Sequence, residues 1–225
     1  MLVLASNSPR RKQLLKASGL EFTVFPAPVD ESERPGESPQ AYVLRLAETK
    51  ARAALDAWAD SSPAAEVLFL GADTTVVVDG DILGKPDSPA EAWRMLQQLR
   101  DRTHQVFTAI ALVRHPDGEC VKDVVVSQVN VRRYTDEEIT AYVDSGDPLD
   151  KAGAYAIQAS EFHPVSTVEG CYANVVGLPV CRLAILLQVH GVTGMHRPWQ
   201  SCQDVTGVPC QVYQNLMAEA ISSYE

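Results

Sequence analysis

Leu2 to Ala5 form a short apolar run of strand character, and the polar stretch "SNSPRR" ends it. Ser8 suits a helix N-cap, and Pro9 suits the first helical position, where its missing N–H costs nothing. A helix is therefore predicted from there to about Ser18, stopped by Gly19. "LEFTVF", Leu20 to Phe25, alternates as a half-buried strand does. The same punctuation recurs at Ser38-Pro39 and Ser88-Pro89, predicting helices through "QAYVLRLAETKARAALDAWA" and "AEAWRMLQQLR".

Further along, Val67 to Leu70 and Thr75 to Val78 are strand-like, and Asp79-Gly80 is a hairpin turn signal leading back through Asp81 to Leu83. "HQVFTAIALVRH" and "ECVKDVVVSQVNVRRY" predict two long strands joined at Pro116-Asp117-Gly118. Thr135 with Glu138 forms a capping-box signature that opens the helix "DEEITAYVDS". Gly146 to Gln158 is predicted as a loop, "CYANVV" as a strand, and Pro179 opens the helix "VCRLAILLQV". From Gly191 the texture changes to a glycine-led appendage with a weak amphipathic helix at its end.

Three features break this pattern. Val43, Leu46, Ala47, Ala51 and Ala54 form an apolar stripe at helical spacing, and Lys50 lies on that stripe. It either snorkels past the core edge or points into a cleft. Asp73 sits inside an apolar segment, where a lone carboxylate is prohibitive. It is paired, metal-bound, catalytic, or a loop-facing backbone cap. Finally, Arg10, Arg11, Lys12 and Lys16 gather at the first helix with no acid before Glu21, in a chain of net charge −10. A helix N-terminus carries unpaired N–H groups and partial positive charge, and guanidinium forks match phosphate oxygens. An anion site and a solvated helix end are the two readings. GxxxxGK[ST] and GxGxxG are absent, which excludes a P-loop and a Rossmann fingerprint.

Composition narrows the partners. The net negative charge argues against a nucleic-acid polymer, whose binding rests on many Lys/Arg–phosphate contacts. No apolar run is long enough to span a bilayer, and no basic region precedes the short N-terminal apolar run as in a signal peptide. A cytoplasmic enzyme or binding protein is expected, without membrane attachment. The five cysteines are scattered and form no CxxC pair, so no disulfide framework is expected. His196, Cys202 and Cys210 match no zinc spacing. Cys171 is read as a buried structural thiol, and His104, His115 and His163 as surface or capping residues.

"LASNSPRR", "ETKA", "GADTTVVVDG", "GKP", "DKAGAYAIQ" and "NVVGLP" stand in the order and spacing of the Maf family of nucleoside triphosphate pyrophosphatases. The resemblance covers residues 1–190 and leaves 191–225 as an appendage. It implies an α/β fold with a mixed twisted sheet, flanking helices and two lobes around a deep cleft, similar to the inosine triphosphate pyrophosphatases. It implies hydrolysis between the α- and β-phosphates with a divalent metal, Mg²⁺ or else Mn²⁺ or Co²⁺. Asp73 matches the family's catalytic acid, and Glu31 falls where the family has an acidic residue near the metal. Ser6, Arg10, Arg11, Lys50, Thr74, Lys85 and Gln158 fall at substrate positions, with Arg10, Thr74 and Gln158 tied to substrate choice. "DKAGAYAIQ" resembles the branch acting on dTTP and UTP, in which the Gln158 amide could read a pyrimidine edge as both donor and acceptor. A homodimer is the family's expectation. Two other readings stand beside this one: hydrolysis of modified or purine triphosphates, and a non-catalytic nucleotide-binding regulator of cell division.

Overall fold

The computed structural model describes residues 1–58, 66–159, 161–195, 197–210 and 212–213. Its strands are β1 (Leu2–Leu4), β2 (Phe22–Val24), β3 (Val67–Val78), β4 (Asp81–Leu83), β5 (Thr103–His115), β6 (Cys120–Val131) and β7 (Val165–Glu169). They form one seven-stranded sheet in the order β2-β1-β3-β5-β6-β7, with β4 on the end of β3. β1 lies parallel to β2 and β3, and the remaining pairs are antiparallel. The sheet is therefore mixed.

The helices are α1 (Pro9–Ala17), α2 (Pro39–Ala57), α3 (Pro89–Leu99), α4 (Asp136–Asp144), α5 (Tyr172–Val176), α6 (Val180–Val189) and α7 (Pro198–Thr206). The Ser-Pro rule holds at all three sites. Ser8, Ser38 and Ser88 each accept a backbone N–H three residues on, so the first turn's orphan donors are met where proline has already removed one. Thr135 and Glu138 make the full capping box at α4.

Strand periodicity sorts the core. Leu2, Leu4, Leu68, Leu70 and Ala72 share one cluster with Leu14, Leu15, Leu178, Leu183 and Leu186 of α1, the chain before α6, and α6. Val3, Val67 and Phe69 point the other way, against Ala51 and Ala54 of α2. A third cluster closes the far end of the sheet, where Val76 and Val129 meet Leu96 of α3 and Ile139 of α4.

Gly71 brings α2 unusually close to β3. A Cβ there would lie 2.0 Å from the Ala47 carbonyl oxygen and 2.8 Å from the Ala51 nitrogen. The helix backbone therefore rests directly on the strand, which only glycine permits. Gly71 shares its strand face with Asp73, and Lys50 lies on the helix between Ala47 and Ala51. This close approach sets the distance across which Lys50 reaches Asp73.

Several elements differ from the sequence pattern. The two strand-like pieces at Val67–Leu70 and Thr75–Val78 are one twelve-residue strand with Asp73 inside it. "LEFTVF" contributes only Phe22–Val24, half-buried as expected. "CYANVV" is not a strand but the short helix α5. The buried Asn174 amide donates to Val106 O at 3.0 Å and Ser127 Oγ at 2.9 Å, while Cys171, Ala173 and Val176 enter the core. Tertiary packing overrides β propensity there. His104 is likewise not a surface or capping residue, being 2% exposed within β5. Residues 198–206 form α7, whose Cys202 joins the core of α1 and α6. The weak amphipathic helix expected at the end of the chain lies outside the described residues, as does His196. No helix among the described residues is long and apolar enough to cross a membrane.

Candidate active site

Ser6, Arg10, Arg11, Glu31, Lys50, Asp73, Thr74, Lys85 and Gln158 all line one cleft of about 920 Å³. They come from six separate segments, so the sheet and its helices bring together what the sequence spreads over more than 150 residues. A cleft of this volume lies within the range of small-ligand sites.

At its centre, Lys50 bridges two carboxylates. Its Nζ lies 2.6 Å from Asp73 Oδ1 and 2.8 Å from Glu31 Oε1. The lysine on the apolar stripe thus points into the cleft, and the aspartate in the apolar strand is paired rather than a backbone cap. Asp73 is buried, and that burial raises its carboxyl above the usual aspartate value against the pull of Lys50 and Arg11. Glu31 is half exposed. Burial works against its ionisation too, but the hydrogen bond and charge of Lys50, with Lys85 and Arg11, hold it below its ordinary value.

The loop carrying Glu31 is held by α2. The Tyr42 hydroxyl donates to Glu31 O at 2.9 Å, and Arg45 donates to Ser32 O at 3.0 Å while pairing with Glu37. Burial, with Asp73 and Glu31 nearby, pushes the Tyr42 phenol up to about 12, so it stays a neutral donor. Sequence reasoning missed Tyr42 because it sits on the core face of α2 and carries no motif.

The structure separates the two arginines. Arg11 turns inward, where Nε donates to Gly177 O at 2.8 Å, Nη1 to Ala72 O at 2.9 Å and Ser6 Oγ at 3.2 Å, and Nη2 to Thr74 Oγ1 at 3.0 Å. It thereby ties the tip of α1 to the residues on both sides of Asp73. Thr74 also meets Thr108 Oγ1 at 2.9 Å. Arg10 lines the cleft beside the helix tip and makes no hydrogen bond to the chain among the described residues, leaving its fork available to a ligand.

Across the cleft lies Lys151 to Gln158. Lys151 is buried and donates to Asp150 Oδ1 at 2.7 Å, to Asp147 Oδ1 at 3.0 Å and to the Asp147 carbonyl. Gly153 has φ +67°, and a Cβ on it would lie 2.9 Å from Val76 Cγ2. Its N–H donates to Gly84 O at 3.0 Å, joining this loop to the turn that carries Lys85. The sequence pattern places Lys151 only within a loop. Its anchoring role depends on a local fold that spacing does not reveal.

Glu31 and Asp73 converge on a single cation, the Lys50 ammonium. Two carboxylates of this kind fit a hard divalent ion that takes its other ligands from phosphate and water. Among the described residues no group of three His, Cys, Asp or Glu forms a cage. Elsewhere, Cys171 is the buried thiol expected, pushed up to about 11 by burial.

A mixed α/β sheet thus lines one cleft with an arginine-bearing helix tip and, next to it, a lysine-bridged carboxylate pair. A family model described as Maf-like protein matches residues 1–190, and the chain belongs to that family. It is 46% identical over 193 residues to a dTTP/UTP pyrophosphatase of Citrifermentans bemidjiense, covering 86% of this chain and 97% of that one. It is 48% identical over 191 residues to a dTTP/UTP pyrophosphatase of Moorella thermoacetica, covering 85% and 95%.

Proposed function

We propose that this chain hydrolyses dTTP and UTP to the monophosphate and pyrophosphate. The observation that carries this reading is the Lys50-bridged Asp73 and Glu31 pair beside the α1 tip within one cleft. The names of relatives at 46–48% identity support the substrate class. Arg10 and Lys85 grip the triphosphate, and Arg11 keeps the helix tip and β3 in register. Asp73 takes a proton from a water whose oxygen bonds to the α-phosphorus as the α–β bridging bond breaks and pyrophosphate leaves. Lys50 holds Asp73 ionised and faces the charge that builds on the phosphates. Glu31 and Asp73 would hold a divalent cation, Mg²⁺ first, which when bound neutralises phosphate charge. The Gln158 amide reads the pyrimidine edge.

We assign residues 1–190 to this enzymatic domain and place the protein in the cytoplasm as a homodimer. The reading is tested by incubating the full chain with a nucleotide panel and Mg²⁺ and measuring pyrophosphate. Release from dTTP and UTP above all others, abolished by chelation and restored by Mg²⁺, is expected. Release from no triphosphate would leave a nucleotide-binding regulator, and preference for a purine would replace the substrate.

A further inference from the structure

Gln158 is exposed at the cleft and makes no hydrogen bond to the chain among the described residues, so the backbone behind it must fix its position. That backbone is latched at two adjacent residues. The Tyr155 ring is buried, and its hydroxyl lies 2.7 Å from His104 Nε2 on β5. The two rings meet edge to face with centroids 5.4 Å apart. Ala156 donates its N–H to the Tyr142 hydroxyl at 3.1 Å, and Tyr142 donates in turn to Asp147 Oδ2 at 2.6 Å. Tyr142 is thus held by the same aspartate that Lys151 engages.

We propose that His104 and Tyr155 are positioning residues for base selection, their buried hydrogen bond setting where Gln158 meets the base. This rests on the reading above, in which the cleft takes a pyrimidine nucleoside triphosphate. Tyr155 lies three residues before Gln158 and Val106, two residues beyond His104, lines the same cleft, so the latch joins the loop to the cleft wall. A hydroxyl and an imidazole removed from water each lose more by separating than a solvated pair would, so the bond resists opening. Burial lowers His104 to about 4, which keeps the imidazole neutral and the latch intact through the neutral range. The competing reading is a core bond that adds stability and nothing else.

Kinetics on the full chain separate the two. Tyr155→Phe, His104→Phe and their double variant are compared with wild type on dTTP, UTP, dCTP and dGTP. The kcat/KM ratio of dTTP to dCTP is expected to fall about three- to tenfold in each single variant, mainly through a raised KM for dTTP. The double variant falls no further, because both changes open one bond. His104→Gln, which keeps a polar group facing Tyr155, restores part of the ratio. A purely structural loss lowers every substrate alike and leaves the ratio unmoved. An unchanged ratio in Tyr155→Phe overturns the latch while wild-type preference for dTTP and UTP stands. A wild-type enzyme that releases no pyrophosphate overturns the functional reading and the latch with it. Should His104→Phe fail to fold, Tyr155→Phe decides, since it removes one oxygen and keeps the ring.

Discussion

Lys50 Nζ stands 2.6 Å from Asp73 Oδ1, so the candidate base carries its own counter-cation before any ligand arrives. The pair spans helix α2 and strand β3, and Gly71 sets the gap between them. Replacing Asp73 with asparagine keeps the shape and removes the base. Turnover is expected to fall about 10²–10⁴-fold while nucleotide still binds. Pyrophosphate release and calorimetric binding on one preparation check this, and near-normal turnover would take Asp73 out of the mechanism.

The pH profile follows from the same pair. A base works ionised, so kcat/KM is present above its folded-state pKa and is lost as pH falls through it. Burial raises Asp73, so the acid limb should lie above the ordinary aspartate value of 3.8. Lys50→Met removes a charge that favours the ionised form, and the limb should then move to higher pH. Profiles of kcat/KM for the two proteins decide it. Superimposable limbs would mean that Lys50 does not tune this carboxylate.

Gly71 tests the close approach. Alanine there would place a methyl carbon 2.0 Å from the Ala47 carbonyl, and backbone has little room to retreat. A loss of about 4 kcal/mol or more is expected from forcing helix and strand apart. Urea unfolding would read it, and a variant as stable as wild type would show that α2 does not ride on β3 at this point.

Arg11→Lys keeps the charge and loses the fork. One ammonium cannot reach Gly177 O, Ala72 O, Ser6 Oγ and Thr74 Oγ1 together. About 2–3 kcal/mol of stability should go, and turnover should drop further than the unfolded fraction explains, because β3 around Asp73 loses its brace. Denaturant midpoints measured beside kcat separate those effects. Loss of triphosphate affinity with unchanged stability would instead make Arg11 a direct phosphate ligand.

Much of the scaffold was legible beforehand because its signals are local. Ser-Pro starts, the Thr135–Glu138 box and the Asp79-Gly80 turn each act within a few residues of their own position. The oddities at Lys50 and Asp73 were also visible, since each violates an apolar pattern. "CYANVV" was misleading because the contacts that make it helical, Asn174 to Val106 and Ser127, come from strands far away in the chain. His104 was misread for a related reason: its partner lies 51 residues on.

From the sequence alone came the elements, the apolar faces and the set of polar residues that a folded chain must account for. The order of the seven strands, the inward turn of Arg11 while Arg10 lines the cleft, and the joining of Lys50 to Asp73 and Glu31 were decided only by tertiary structure. Periodicity reports which side of its own element a residue occupies. Which residue of another element faces it depends on how closely two backbones can approach, and at Gly71 that distance is set by the absence of a single methyl group.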